Sequence, residues 1–146
     1  MIHCEGLVKI YRASGVEVFA LQGLDLDVAP GEMVAVIGNS GSGKSTLLKI
    51  LGGLDAPSAG AVRVGEWDLM KLTGRQRTEY RRRVVGFVWQ NSALNLTPYL
   101  TAEANVLLNM TNAGTPDRQE ARRLLELVGL ADRRDRLPPE LSGGEQ

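Results

Sequence analysis

The sequence predicts an α/β fold, and three observations carry that prediction. Residues 33–37 (MVAVI) are apolar at every position, as in a strand buried on both faces of a parallel sheet. A glycine-rich stretch follows, and residues 45–51 (STLLKIL) then carry apolar side chains at helical spacing. After Gln90 the pattern becomes helical throughout. The expected organisation is therefore a mixed α/β core over residues 1–90 and a helical piece over residues 91–146.

Taken in order, the first third reads as strands. Residues 24–28 (LDLDV) alternate apolar and acidic, as a half-buried strand does, and Pro30-Gly31 marks a turn. Residues 33–37 make the buried strand. The helix after the glycines can turn Leu47, Leu48, Ile50, Leu51 and Leu54 toward a sheet, with Gly52-Gly53 near its end. Residues 56–60 form a turn and residues 61–64 a short strand. Thr73 caps a helix reaching about Arg83, with Gln76 three residues on as a capping box requires. Residues 84–89 (VVGFVW) read as a further buried strand, weakened by Gly86. Thr101 caps a helix that Gly114 ends. Thr115-Pro116 opens another, with proline at the first helical position, in which Ala121, Leu124, Leu125 and Val128 line one face before Gly129. Pro138-Pro139 then breaks the chain.

Composition bounds the function. The 146 residues suffice for one domain with a core, and 43% hydrophobic content is ordinary for a globular chain. Formal net charge is zero, which gives nucleic acid no case as a partner. Arg81-Arg82-Arg83 reads as a solvated helix end. One cysteine, Cys4, allows no internal disulfide and fits a reducing compartment. The N-terminus shows no signal pattern, and no apolar run approaches the roughly 18 residues needed to span a bilayer. The expected location is cytoplasmic.

Residues 38–45, Gly38-Asn39-Ser40-Gly41-Ser42-Gly43-Lys44-Ser45, match the P-loop pattern GxxxxGK[ST]. A loop that wraps a phosphate chain must aim consecutive N–H groups inward, with dihedrals that glycine adopts cheaply, hence Gly41 and Gly43. The helix start behind the loop adds its positive dipole end. Lys44 is expected to reach the β and γ phosphates of a bound nucleotide, Ser45 to ligate Mg²⁺, and Thr46 to donate near the α phosphate. Gln90 ends a predicted strand, where side chains leave a sheet edge toward a ligand. Residues 141–146, LSGGEQ, form a string expected by chance in fewer than about one such chain in ten thousand, so it demands a specific explanation.

The order P-loop, strand-ending glutamine, LSGGEQ resembles the ATP-binding subunit of an ABC transporter along the whole chain. LLKILGGLDAPSAG and RRRVVGFVWQ further resemble its lipoprotein-release and macrolide-export branch. The resemblance implies a P-loop NTPase core with an N-terminal antiparallel β subdomain and an ABC-type helical subdomain. It implies that Tyr11 stacks on adenine and that Gln90 contacts Mg²⁺ and the attacking water. It further implies that Ser142, Gly143, Gly144 and Gln146 face ATP held by a second subunit in a head-to-tail dimer. A transmembrane permease would be the other partner, near residues 91–100, placing the chain on the inner face of the cell membrane. Three positions depart from the branch: Asn39 stands where proline is usual, Trp89 where phenylalanine is usual, and Ala104 where an acid is usual.

The resemblance also implies an aspartate, a glutamate and a histidine after the signature motif. The sequence reaches Gln146 without them, and its one histidine is His3. The expectation is a fragment, incomplete at the C-terminus and hydrolysis-deficient alone, with Leu24, Val34, Val36 and Val88 partly uncovered. Two other readings stay open: a non-transport ABC ATPase, or a non-catalytic remnant that binds a full-length partner.

Overall fold

A computed structural model describes residues 1–13, 15–91 and 94–146, and the chain divides into two compact units, residues 1–86 and 87–146. The first unit is built on an antiparallel sheet. β1 (Ile2–Ala13) pairs with β2 (Val16–Val28) on one edge and β3 (Ala59–Val64) on the other, and β4 (Trp67–Asp68) extends β3. The strand order is β2-β1-β3-β4. An irregularity in the register between Cys4 and Leu7 shifts the two-residue alternation. Both side chains therefore reach the core, where they are almost wholly buried.

α1 (Lys44–Leu51) lays Leu47 and Ile50 into that core with Leu21, Val62, Leu69 and Tyr80. α2 (Gly74–Arg83) starts at Thr73 with the expected capping box. The Thr73 hydroxyl accepts from the Gln76 N–H at 3.3 Å, and Gln76 Oε1 accepts from the Thr73 N–H at 3.0 Å. Tyr80 on α2 is fully buried, stacks obliquely on Trp67, and donates to the Leu51 carbonyl at 2.5 Å. That bond satisfies a carbonyl at the end of α1. Burial pushes the Tyr80 phenol up to about 12. Arg82 and Arg83 both pair with Glu79 on their own helix, as a solvated helix end does.

In the second unit α3 (Ala102–Ala113) is capped by Thr101, whose hydroxyl accepts from the Ala104 N–H at 3.2 Å, and ends on Gly114 in the left-handed region. α4 (Arg118–Leu127) packs beside α3, and Ala102, Leu125 and Leu141 form the centre of this unit's core. Glu103 is buried on α3 and pairs with Arg118 and Arg122 of α4, each at 2.8 Å. Its carboxyl lies below the usual range, chiefly through the Arg122 hydrogen bond. Asn105, also buried, accepts from the Thr97 N–H at 2.7 Å and donates to the Leu100 carbonyl at 2.9 Å, which shapes the turn before α3.

Three expectations fail at the level of elements. Residues 33–37 form no strand: Met33 is 97% exposed and Ile37 89%, with no ladder partner among the described residues. Residues 84–89 likewise form no strand, and Val88 is 85% exposed. Both runs have strand character, but a ladder needs a neighbouring strand, which composition does not supply. For the same reason Leu48 and Leu54 are exposed while Leu47 and Ile50 are buried, because the sheet covers only one side of α1. The last helix opens at Asp117, whose carboxylate accepts from the Gln119 and Glu120 N–H groups, not at Thr115-Pro116. An aspartate that reaches two first-turn donors makes the stronger cap, and Pro116 stays outside the helix.

Candidate functional site

The glycine-rich loop runs from Gly38 into the first turn of α1. Gly41 and Gly43 both take positive φ, 82° and 90°. At Gly43 the need for glycine is doubled: a Cβ there would lie 2.3 Å from the Ala20 carbonyl oxygen of β2. The loop thus ends pressed against β2, which sets the direction in which α1 leaves it. Gly43 is the N-cap of α1 and supplies no side chain, so the first-turn N–H groups face outward uncapped by it.

Lys44 curls back over the loop. Its ammonium donates to the Gly38 carbonyl at 2.8 Å and the Asn39 carbonyl at 2.7 Å, with the Ser42 hydroxyl at 3.4 Å. A positive charge is therefore centred where the loop closes, held by two backbone oxygens of the loop itself. Ser45 is exposed and Thr46 half-buried on the first turn of α1. Ser40 sits in the exposed turn of the loop. Residues 38–46 form one continuous loop and helix start.

Tyr11 lies near the far end of β1, and its phenol donates at 2.7 Å to Oδ2 of Asp55, just past the end of α1. The phenol is raised above its ordinary value, first by burial and then by the Asp55 carboxylate. Asp55 Oδ1 accepts from Lys9 Nζ at 2.6 Å and from the Ala56 N–H at 2.7 Å. Burial pushes the Asp55 carboxyl up, but these three donors outweigh it and hold it below its ordinary value. Sequence reading missed Lys9 and Asp55. Only the LKILGGLD stretch hinted at the second of them.

In the second unit Gln90 is exposed, directly after Trp89. Asn95 grips Trp89 on both backbone groups: Oδ1 accepts from the Trp89 N–H at 2.7 Å, and Nδ2 donates to the Trp89 carbonyl at 2.9 Å. This side chain does for residue 89 what a neighbouring strand would do. Of the segment expected near a membrane partner, 91–100, Ser92 and Ala93 lie outside the described residues. Among the described residues no helix is long and apolar enough to cross a membrane.

The LSGGEQ stretch is anchored by Leu141, which is buried with Ala102 and Leu125. Ser142 begins a turn: the Glu145 and Gln146 N–H groups donate to its carbonyl at 3.0 and 3.1 Å. The Glu145 carboxylate accepts from the Ser142 N–H at 2.8 Å. This is the reciprocal half of a capping box at a helix start. Gly143 and Gly144 are exposed, and a Cβ on either would meet open space. The Gln146 side chain donates back to the Pro138 carbonyl at 2.8 Å.

Comparison with known proteins supplies the context. The sequence matches the family described as ABC transporter over residues 21–146. It is 48% identical to an uncharacterized ABC transporter ATP-binding protein of Thermotoga maritima, over 94% of this chain and 59% of that protein. It is 45% identical to the lipoprotein-releasing system ATP-binding protein LolD of Pseudomonas fluorescens, over 100% of this chain and 65% of that one. A solved ATP-binding cassette, in a dimeric post-hydrolysis state bound to ADP and Pi, superposes with a TM-score of 0.89 at 34% identity. That match covers 99% of this chain and 65% of the cassette. The chain thus spans about 59–65% of the length of these relatives. With the glycine-rich loop, the antiparallel sheet and the helical unit that carries LSGGEQ all inside the matched span, the chain belongs to the ABC transporter family.

Proposed function

We propose that these residues bind ATP as part of an ATP-binding subunit that drives export through membrane permease subunits. The observation that carries the reading is the loop over residues 38–43 closed around the Lys44 ammonium at the start of α1. A triphosphate entering there would take over the ammonium from the two loop carbonyls and meet the first-turn N–H groups of α1. Gly38, Asn39, Ser40, Gly41, Ser42 and Gly43 supply the backbone cradle, and Thr46 lies one turn position further on. The Ser45 hydroxyl is a hard oxygen donor of the kind Mg²⁺ takes, and it stands exposed beside the loop. Magnesium bound there would neutralise phosphate charge, with phosphate oxygens and water completing its shell.

The nucleotide-binding core would comprise residues 1–90 and the helical subdomain residues 91–146. Ser142, Gly143, Gly144 and Gln146 would face the triphosphate of a second ATP-binding subunit in a head-to-tail dimer. The exposed glycine backbone and the turn set by Ser142 and Glu145 support that role. The permease would hold the subunit on the inner face of the membrane. Likeness to LolD and to a macrolide export ATP-binding/permease protein of Syntrophobacter fumaroxidans supports the export branch.

Isothermal titration of the purified chain with Mg-ATP tests the core of this reading. Lys44→Ala should weaken binding by about 10–100-fold, the worth of one charge-assisted phosphate contact. Equal affinity in the two proteins would overturn it. Taken alone, the 146 residues should bind without turnover. Phosphate release that Lys44→Ala abolishes would show that they suffice for hydrolysis.

A further inference from the structure

Tyr11 is 37% exposed, and a tyrosine so exposed on a strand end ordinarily samples several rotamers on the picosecond-to-nanosecond scale. Here it is tied down at two points. Its hydroxyl donates to Asp55 Oδ2 at 2.7 Å, and the Lys9 ammonium sits over its ring, 4.8 Å from the centroid. Lys9 and Asp55 are themselves locked: Nζ donates to Asp55 Oδ1 at 2.6 Å and to the Ala56 carbonyl at 2.7 Å, while the Ala56 N–H donates back to Asp55 Oδ1 at 2.7 Å. Their side chains are 12% and 25% exposed, so the pair is largely withdrawn from water. Two half-buried charges therefore fix one exposed ring.

We propose that Asp55 and Lys9 are positioning residues that hold the Tyr11 ring as a one-sided platform, so that a nucleotide base stacks only on the face turned away from Lys9. The proposal rests on the reading of Tyr11 as the base-stacking residue. Lys9 occupies one face by cation–π attraction, and Asp55 fixes the rotation of the ring through its hydroxyl. Asp55 lies just past the end of α1, so the platform is tied to the element that carries the phosphate site. Immobilising a free side chain on binding costs a factor of about 2–10 in affinity. A ring already fixed spares the base that loss.

The test compares Mg-ATP with inorganic tripolyphosphate, which lacks a base. Dissociation constants of both are measured for the full chain and for Tyr11→Ala, Tyr11→Phe, Asp55→Asn and Tyr11→Phe/Asp55→Asn. The ratio of the two affinities reads the base alone. Tripolyphosphate binding should stay unchanged throughout, and Tyr11→Ala should lower the ATP preference at least about fivefold, the worth of one stacked base. Tyr11→Phe and Asp55→Asn should each lower it by about 2–10-fold, and the double variant no further than either single one.

A Tyr11→Ala ratio equal to the wild type would defeat base stacking, and the proposal with it. A reduced ratio in Tyr11→Ala alone, with Tyr11→Phe and Asp55→Asn both at the wild-type value, would keep the stacking and overturn the positioning. Tyr11→Phe leaves the Lys9–Asp55 pair intact, so the comparison survives even if Asp55→Asn fails to fold.

Discussion

At the scale of single residues, the site depends on positions that tolerate nothing else. Gly43 combines a φ of 90° with a Cβ direction aimed at the Ala20 carbonyl, and β2 cannot yield without breaking the sheet. Gly43→Ala should therefore cost about 1–3 kcal/mol. It should lower the thermal midpoint by several degrees and remove nucleotide binding, both followed by differential scanning fluorimetry with and without Mg-ATP. Asp55 makes a pH-dependent contribution whose sign is set by its lowered carboxyl. A group whose folded value lies below its unfolded one stabilises above the ordinary value of 3.8 and loses that stabilisation as pH falls through the folded value. The urea midpoint of the wild type should thus exceed that of Asp55→Asn at neutral pH, and the gap should close below about pH 4. A gap that persists unchanged at low pH would mean the Lys9–Asp55 pair contributes nothing electrostatic. Gly43 was legible in the glycine-rich pattern, but the pairing of Lys9 with Asp55 was not, since the two are 46 positions apart.

At the scale of elements, what was legible is what is local. Thr73 with Gln76, and Thr101, cap helices where the sequence places them, because a cap bonds only to its own next three residues. The P-loop was legible for the same reason: its conformation is carried by glycines and a helix start within nine residues. Thr115-Pro116 misled because proline at a helix start is a preference, whereas Asp117 supplies actual bonds to two N–H groups. The tie between Asn95 and Trp89 was not legible at all. Asn95 replaces a strand for Trp89, and an asparagine in a loop announces nothing of the kind. Asn95→Ala should release both backbone groups of Trp89, and the Trp89 amide should exchange with deuterium about tenfold faster or more. The exchange of amides in α4 should stay as it was. An unaltered Trp89 rate would show that the asparagine bonds contribute nothing to order before Gln90.

At the scale of the whole molecule, the sequence's apolar runs and the sheet do not coincide. The sheet is antiparallel and made of β1 to β4, while the two runs read as buried strands, residues 33–37 and 84–89, lie outside it. The apolar pattern led to strands that are not there, because pairing is a property of two segments and is invisible in either one alone. The consequence is an exposed apolar surface: Met33, Ile37 and Val88 are almost fully accessible, and Val34 and Val36 are exposed by two fifths. Unpaired extended backbone flanked by apolar side chains invites pairing with another chain. The purified 146 residues should accordingly self-associate as concentration rises, seen in sedimentation velocity as a mass that grows with loading. Placing charge on those runs should suppress it, and Met33→Lys/Val88→Lys keeps clear of the P-loop and of both cores. That variant should sediment closer to a monomer while binding Mg-ATP as the wild type does. A wild-type chain that remains monomeric at every loading would mean these runs are covered within the molecule in solution, and that the parallel strands expected from the sequence do form.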